Sequence, residues 1–152
     1  IDELADKVKD PEALASETKK ANAINLASMK KLAELRTQGK LVLVFPAGTR
    51  FRPWDPASKR GVREIDSYIR SFDYMSLVSI NGNILRINPE GEMLEDLICR
   101  DAVRYGVSEP RRCDEFRDAV KASLAEGQDR KQAIVDAVMA ELDAMHLAAE
   151  RA

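Results

Sequence analysis

The chain has 152 residues, of which 45% are apolar and 33% charged, with a formal net charge of -2. That balance suits a folded domain with a core of its own and excludes a disordered chain. Near-neutrality argues against a nucleic-acid domain held on by phosphate contacts.

Residues 1–10 are polar and acidic and read as a frayed lead-in. The chain begins at Ile1 without a Met, so a processed, trimmed or partial product is expected. Asp10-Pro11 reads as a helix start, an N-cap followed by Pro in the first turn. The helical pattern continues to about Gln38, with Leu14, Ala21, Ile24, Ser28, Leu32 and Leu35 on one face, and Gly39 ends it.

Leu41–Phe45 is a continuous apolar run, which predicts a strand covered on both faces, as in a parallel sheet. It is far too short to span a bilayer. A helix feeding such a strand makes the second half of a βαβ unit, whose first strand is not in this sequence. Pro46–Gly61 is a loop that carries Arg50, Arg52, Lys59 and Arg60, with Arg63 just beyond, against the single acid Asp55. Trp54, the only Trp, stands among them and suits either a membrane interface or a pin holding the loop to the core.

A short helix is expected over Val62–Arg70 and a strand over Met75–Ile80. Asn81-Gly82 signals a turn, followed by a third strand over Ile84–Ile87. From Pro89 onward the pattern reads as helical: Pro89–Tyr105 closed by Gly106, Glu109–Ala125 closed by Gly127, and a last helix capped by Asp129 with Gln132 as its capping-box partner. Cys99 and Cys113 have no CxxC spacing and read as two reduced, inert thiols, and no metal site is expected. His146, the only histidine, reads as a half-exposed residue of the last helix.

The fold class expected is therefore α/β, a small, mostly parallel sheet flanked by helices, with a helical C-terminal segment. Residues 1–152 make a single domain or the C-terminal part of one. Within it, 11–88 form the α/β portion and 89–152 the helical segment. In open α/β sheets, ligands bind beyond the carboxyl ends of strands. Arg50 stands there beside Gly48 and Thr49. A guanidinium offers a planar fork for phosphate or carboxylate, glycine lets backbone come close, and a threonine hydroxyl can donate.

Phe45-Pro46-Ala47-Gly48-Thr49-Arg50-Phe51 resembles the third conserved block of the glycerol-3-phosphate and lysophosphatidate acyltransferase superfamily, which usually reads Phe-Pro-Glu-Gly-Thr-Arg-Ser. Five of the seven positions match, with Ala47 and Phe51 departing. The similarity spans roughly residues 17–88. It takes in the helix end Leu35-Arg36-Thr37-Gln38-Gly39, the Lys59-Arg60-Gly61 element and the strand Leu77-Val78-Ser79-Ile80. The resemblance implies that Gly48, Thr49 and Arg50 bind the phosphate of the acyl acceptor, with Arg52, Lys59 and Arg60 enlarging the positive field.

The family's catalytic His-x4-Asp motif lies upstream of this block and is not in this chain, so no catalytic residue is assigned. The resemblance implies an acyltransferase, or its acceptor-binding part, moving a fatty acyl group from acyl-CoA or acyl-carrier protein to glycerol 3-phosphate or a lysophospholipid. No bound cofactor, metal or nucleic acid is implied. A cytoplasmic protein with peripheral contact on the inner face of the cell membrane is expected. The alternative is a non-catalytic module binding anions or phospholipid head groups through the same loop.

Overall fold

The computed structural model describes residues 11–91 and 95–151. The expected lead-in over residues 1–10 and the Asp10 cap lie outside them. The chain divides into two compact units, one up to Leu43 and one from Val44 onward.

The first unit is built on helix α1, Pro11–Thr37. Salt bridges Lys20–Glu17 at 2.6 Å and Lys31–Glu34 at 2.8 Å run along its surface at the i,i+3 spacing that helix geometry brings together. Its end is a Schellman turn. Gly39 sits at φ +66°, its N–H donates to Arg36 O at 3.0 Å, and Lys40 N–H donates to Leu35 O at 3.0 Å. Of the expected apolar face, Leu32 is buried while Ile24 and Ser28 are exposed.

Leu41–Phe45 does not form the expected strand. Leu41 is 92% exposed, Leu43 and Phe45 are exposed too, and Val42 and Val44 are half-buried. An apolar run becomes a two-face-buried strand only if a neighbouring strand supplies a ladder. Among the described residues, none pairs with it.

The second unit opens with a loop and continues through helix α2, Ile65–Ser71. Six short strands follow: β1 Tyr74–Met75, β2 Val78–Asn81, β3 Leu85–Arg86, β4 Leu97–Ile98, β5 Arg104–Val107 and β6 Arg111–Arg112. Helices α3, Cys113–Ala122, and α4, Arg130–Arg151, complete it. The fold mixes α and β as expected, but the pairing is antiparallel, not mostly parallel.

The pairs β1–β6, β2–β5 and β3–β4 are nested, so the strands form successive sections of one long hairpin arm. The register slips by one residue between the first two sections and by two before the third. Gly82 lies at the second slip with φ +101°. A Cβ there would stand 2.2 Å from Ala102 O, so both conformation and space require glycine. Asn81-Gly82 therefore bends the arm instead of turning β2 back on β3.

The helix expected over Pro89–Tyr105 is also corrected. The described part of that stretch holds β4 and the start of β5. Apolar pairs such as Leu97-Ile98 fit a helical period as well as short strands, and pairing with β3 and β2 decides between them. Gly106 lies within β5 opposite Ser79 and closes no helix.

The core lies where α4 crosses α2, α3 and the arm. Ile134, Val135 and Val138 of α4 meet Ile65, Ile69, Leu77, Cys113 and Phe116. Each large aliphatic or aromatic side chain fully buried here contributes about 1.5–3 kcal/mol. At the α4 start the Asp129 cap forms as expected, but Gln132 is not its capping-box partner: its Nε2 donates to Gly61 O at 3.1 Å and to Asp136 Oδ1 at 2.7 Å. Asp129 Oδ1 accepts from the N–H groups of Lys131 at 3.0 Å and Gln132 at 3.4 Å.

Alternation in β2 is inverted from a simple amphipathic strand. Ser79 and Asn81 are buried, whereas Val78 and Ile80 face out with their register partners Val107 and Tyr105. The polar side has work to do under α4. Asn81 Nδ2 donates to His146 O at 3.0 Å and Arg104 Nη1 to Ala149 O at 3.3 Å.

Candidate functional site

The loop between Pro46 and Val62 is closed on itself. Val62 N–H donates to Pro46 O at 2.8 Å, forming a neck, as in an Ω-loop. At one side of the neck Gly48 N–H donates to Phe45 O at 3.1 Å, with Gly48 at φ +65°. A Cβ at Gly48 would touch only Val62 Cγ1 at 3.9 Å, so it is the left-handed backbone that calls for glycine. The turn leaves Thr49 and Arg50 exposed.

The loop's far end is a second turn. Asp55 N–H donates to Arg52 O at 2.9 Å, with Pro53 and Trp54 at the corners. Buried Ser58 fastens it: its Oγ accepts from Arg52 N–H at 2.7 Å and donates to Asp55 O at 2.6 Å. The return limb is held by α4. Gly61 is buried, and a Cβ there would lie 2.4 Å from Val135 Cγ1. Gln132 Nε2 donates to Gly61 O at 3.1 Å.

The predicted cations fall into two groups. Arg50 Nη2 contacts Asp96 Oδ1 at 2.9 Å and Oδ2 at 2.8 Å, and its Nη1 donates to Leu85 O at 3.4 Å. Lys59 pairs with Asp143, and its Nζ lies 5.5 Å from the centroid of the Phe51 ring. Arg63 Nε pairs with Asp129 Oδ2 at 2.8 Å. Arg52 and Arg60 have no ion-pair partner among the described residues. The sequence placed all five in one basic cluster. It did not reveal that Asp96, Asp129 and Asp143, remote along the chain, neutralise three of them.

Electrostatics follow this packing. Desolvation pushes the Asp129 carboxyl up, but the Gln132 and Lys131 amides and the Arg63 guanidinium outweigh it and hold it below the usual range. Asn83 and Ala102 amides depress Asp101 in the same way. Burial, then the charges of Asp114 and Asp73, push the Cys113 thiol up, which suits an inert side chain.

His146 lies on α4 with Nε2 3.1 Å from Glu150 Oε1, occupied along its own helix. Among the described residues no group of His, Cys, Asp and Glu is arranged to hold a metal ion, and no helix is long and apolar enough to cross a membrane.

Sequence reasoning did not single out a cleft of about 460 Å³ lined by Arg111, Phe116, Val120, Ala137 and Glu141. Arg111 stacks on Phe116 at 4.2 Å and grips Glu141 at 2.9 and 2.7 Å, so its charge is spent within the protein. The only signal was the Arg111-Arg112 pair. No protein-family model, curated protein or solved structure matches the chain.

Proposed function

We propose that this chain carries the acceptor-phosphate-binding part of a glycerolipid acyltransferase, the acceptor being glycerol 3-phosphate or a lysophospholipid and the donor acyl-CoA or acyl-carrier protein. The observation that carries the reading is the arrangement of Gly48, Thr49 and Arg50. The block that resembles the family's phosphate-binding residues lies on a closed loop, with a left-handed glycine and an exposed arginine already oriented on a carboxylate.

The contact of Arg50 Nη2 with both Asp96 carboxylate oxygens supports the reading that this guanidinium can receive an oxyanion. A phosphate brings more charge and more acceptor oxygens than a carboxylate, so it can take over that fork. Arg52 and Arg60 add a positive field that Asp96 does not cancel. Through these residues the chain binds and orients the acceptor; its only histidine is engaged with Glu150.

The test is calorimetric titration of the protein with glycerol 3-phosphate. Hydrogen bonds to charged groups contribute about 1.5–3 kcal/mol, so Arg50→Ala weakens binding by about tenfold or more. Unchanged affinity removes Arg50 from the site.

A second reading rests on Arg52 and Arg60, which have no ion-pair partner among the described residues: a head-group-binding module without catalysis. Release of free thiol from an acyl thioester in the presence of acceptor, measured on the same protein, separates the two.

A further inference from the structure

The Arg52–Asp55 turn has features that phosphate binding does not use. Trp54 is 54% exposed at its corner, with exposed Pro53 beside it, although a lone Trp is a large apolar side chain for a core to forgo. Phe51 is half-exposed and held beside Lys59. The turn is preformed: the Arg52–Asp55 hydrogen bond and the two made by Ser58 Oγ fix its backbone, so presenting Trp54 costs little ordering on binding. The acids that neutralise Arg50, Lys59 and Arg63 come from outside the loop, and none reaches Arg52 or Arg60.

We propose that this turn is a membrane-docking tip, with Trp54 entering the boundary between head groups and acyl chains of an anionic bilayer while Arg52 and Arg60 meet lipid phosphates. An exposed indole in a loop whose Arg52 and Arg60 have no ion-pair partner among the described residues matches both layers of that boundary, the apolar one and the negative one. The inference shares Arg52 and Arg60 with the acceptor reading but goes beyond it, since docking turns on Trp54 and does not need Arg50.

Trp54 is the only Trp in the chain, so intrinsic fluorescence reports this one side chain. The protein is mixed with vesicles of phosphatidylcholine alone and of phosphatidylcholine with phosphatidylglycerol. The expected result is a blue shift, quenched by brominated acyl chains, with the anionic vesicles only and weakened by salt. Arg52→Gln with Arg60→Gln retains the reporter and lowers partition roughly 30-fold. Trp54→Ala abolishes co-sedimentation with the vesicles, and Arg50→Ala leaves the blue shift in place. Failure of the acceptor reading and failure of this one are therefore distinguishable. Circular dichroism checks that each variant keeps the helical content of the parent.

No shift with anionic vesicles, or an equal shift with neutral ones, overturns the proposal. A change in Trp emission with a single-stranded oligonucleotide and none with vesicles overturns it in favour of base stacking.

Discussion

Two arginine–aspartate pairs in the second unit have nearly the same closest approach and different consequences. Arg117 Nε lies 2.9 Å from Asp66 Oδ1, linking α3 to α2, and Arg50 Nη2 lies 2.8 Å from Asp96 Oδ2, linking the loop to the β3–β4 end of the arm. The Asp66 side chain is 2% exposed and the Arg117 side chain 17%, against 16% for Asp96 and 50% for Arg50. Separation therefore does not rank them; surroundings do. In the buried pair the Asp66 carboxylate has no water to return to, so it depends on Arg117. In the open pair water and salt compete for the guanidinium, so an incoming anion can compete as well. The first pair holds the scaffold and the second is open to exchange.

The sharpest way to break this contrast is Arg117→Ala. It strands the Asp66 carboxylate in the core and is expected to cost about 3–5 kcal/mol in denaturant unfolding. A cost below 1 kcal/mol would mean that the two pairs are alike. Next comes the scaffold's grip on the loop. Gly61→Ala forces a Cβ against Val135 Cγ1 and against Met139 Cγ, 2.4 and 2.9 Å away. An expected loss of about 1–3 kcal/mol is read from the thermal midpoint.

Smaller again is the effect of acid on the α4 start. The Asp129 carboxyl is depressed in the folded state, so its contribution is present above the unfolded value of about 3.9 and is lost as pH falls through the folded value. Asp129→Asn should flatten that part of the stability–pH curve, and an unchanged slope would show that the cap carries no charge-dependent stability. The smallest stability change belongs to Arg50→Ala, about 1 kcal/mol or less. The same substitution is expected to weaken the proposed acceptor binding about tenfold or more, and a large loss of stability would move Arg50 from the exchangeable class to the structural one.

Local signals were legible wherever a residue acts on its own backbone. The Gly39 end of α1 and the Asp129 cap of α4 follow from backbone rules involving immediate neighbours. The Leu41–Phe45 strand failed because a strand is made by its partner, and the described residues provide none. The Pro89–Tyr105 helix failed for the related reason that β4 and β5 are chosen by pairing with β3 and β2. In the candidate site the basic cluster was visible along the chain. Asp96 and Asp143, which take up Arg50 and Lys59, were invisible because they arrive from sequence separations at which no pattern operates.

Composition, the glycine end of α1, the Asp129 cap of α4 and the arginine-bearing block from Phe45 to Arg50 were determined by the sequence itself, because charge balance and backbone stereochemistry are properties of residues and near neighbours. The antiparallel arm, the burial of Asp66, the exposure of Trp54 and the division of the loop's cations into paired and unpaired were decided only by tertiary structure. Each depends on what the fold brings up against a residue, and desolvation by distant segments turns one ion pair into a strut and leaves the other open to exchange.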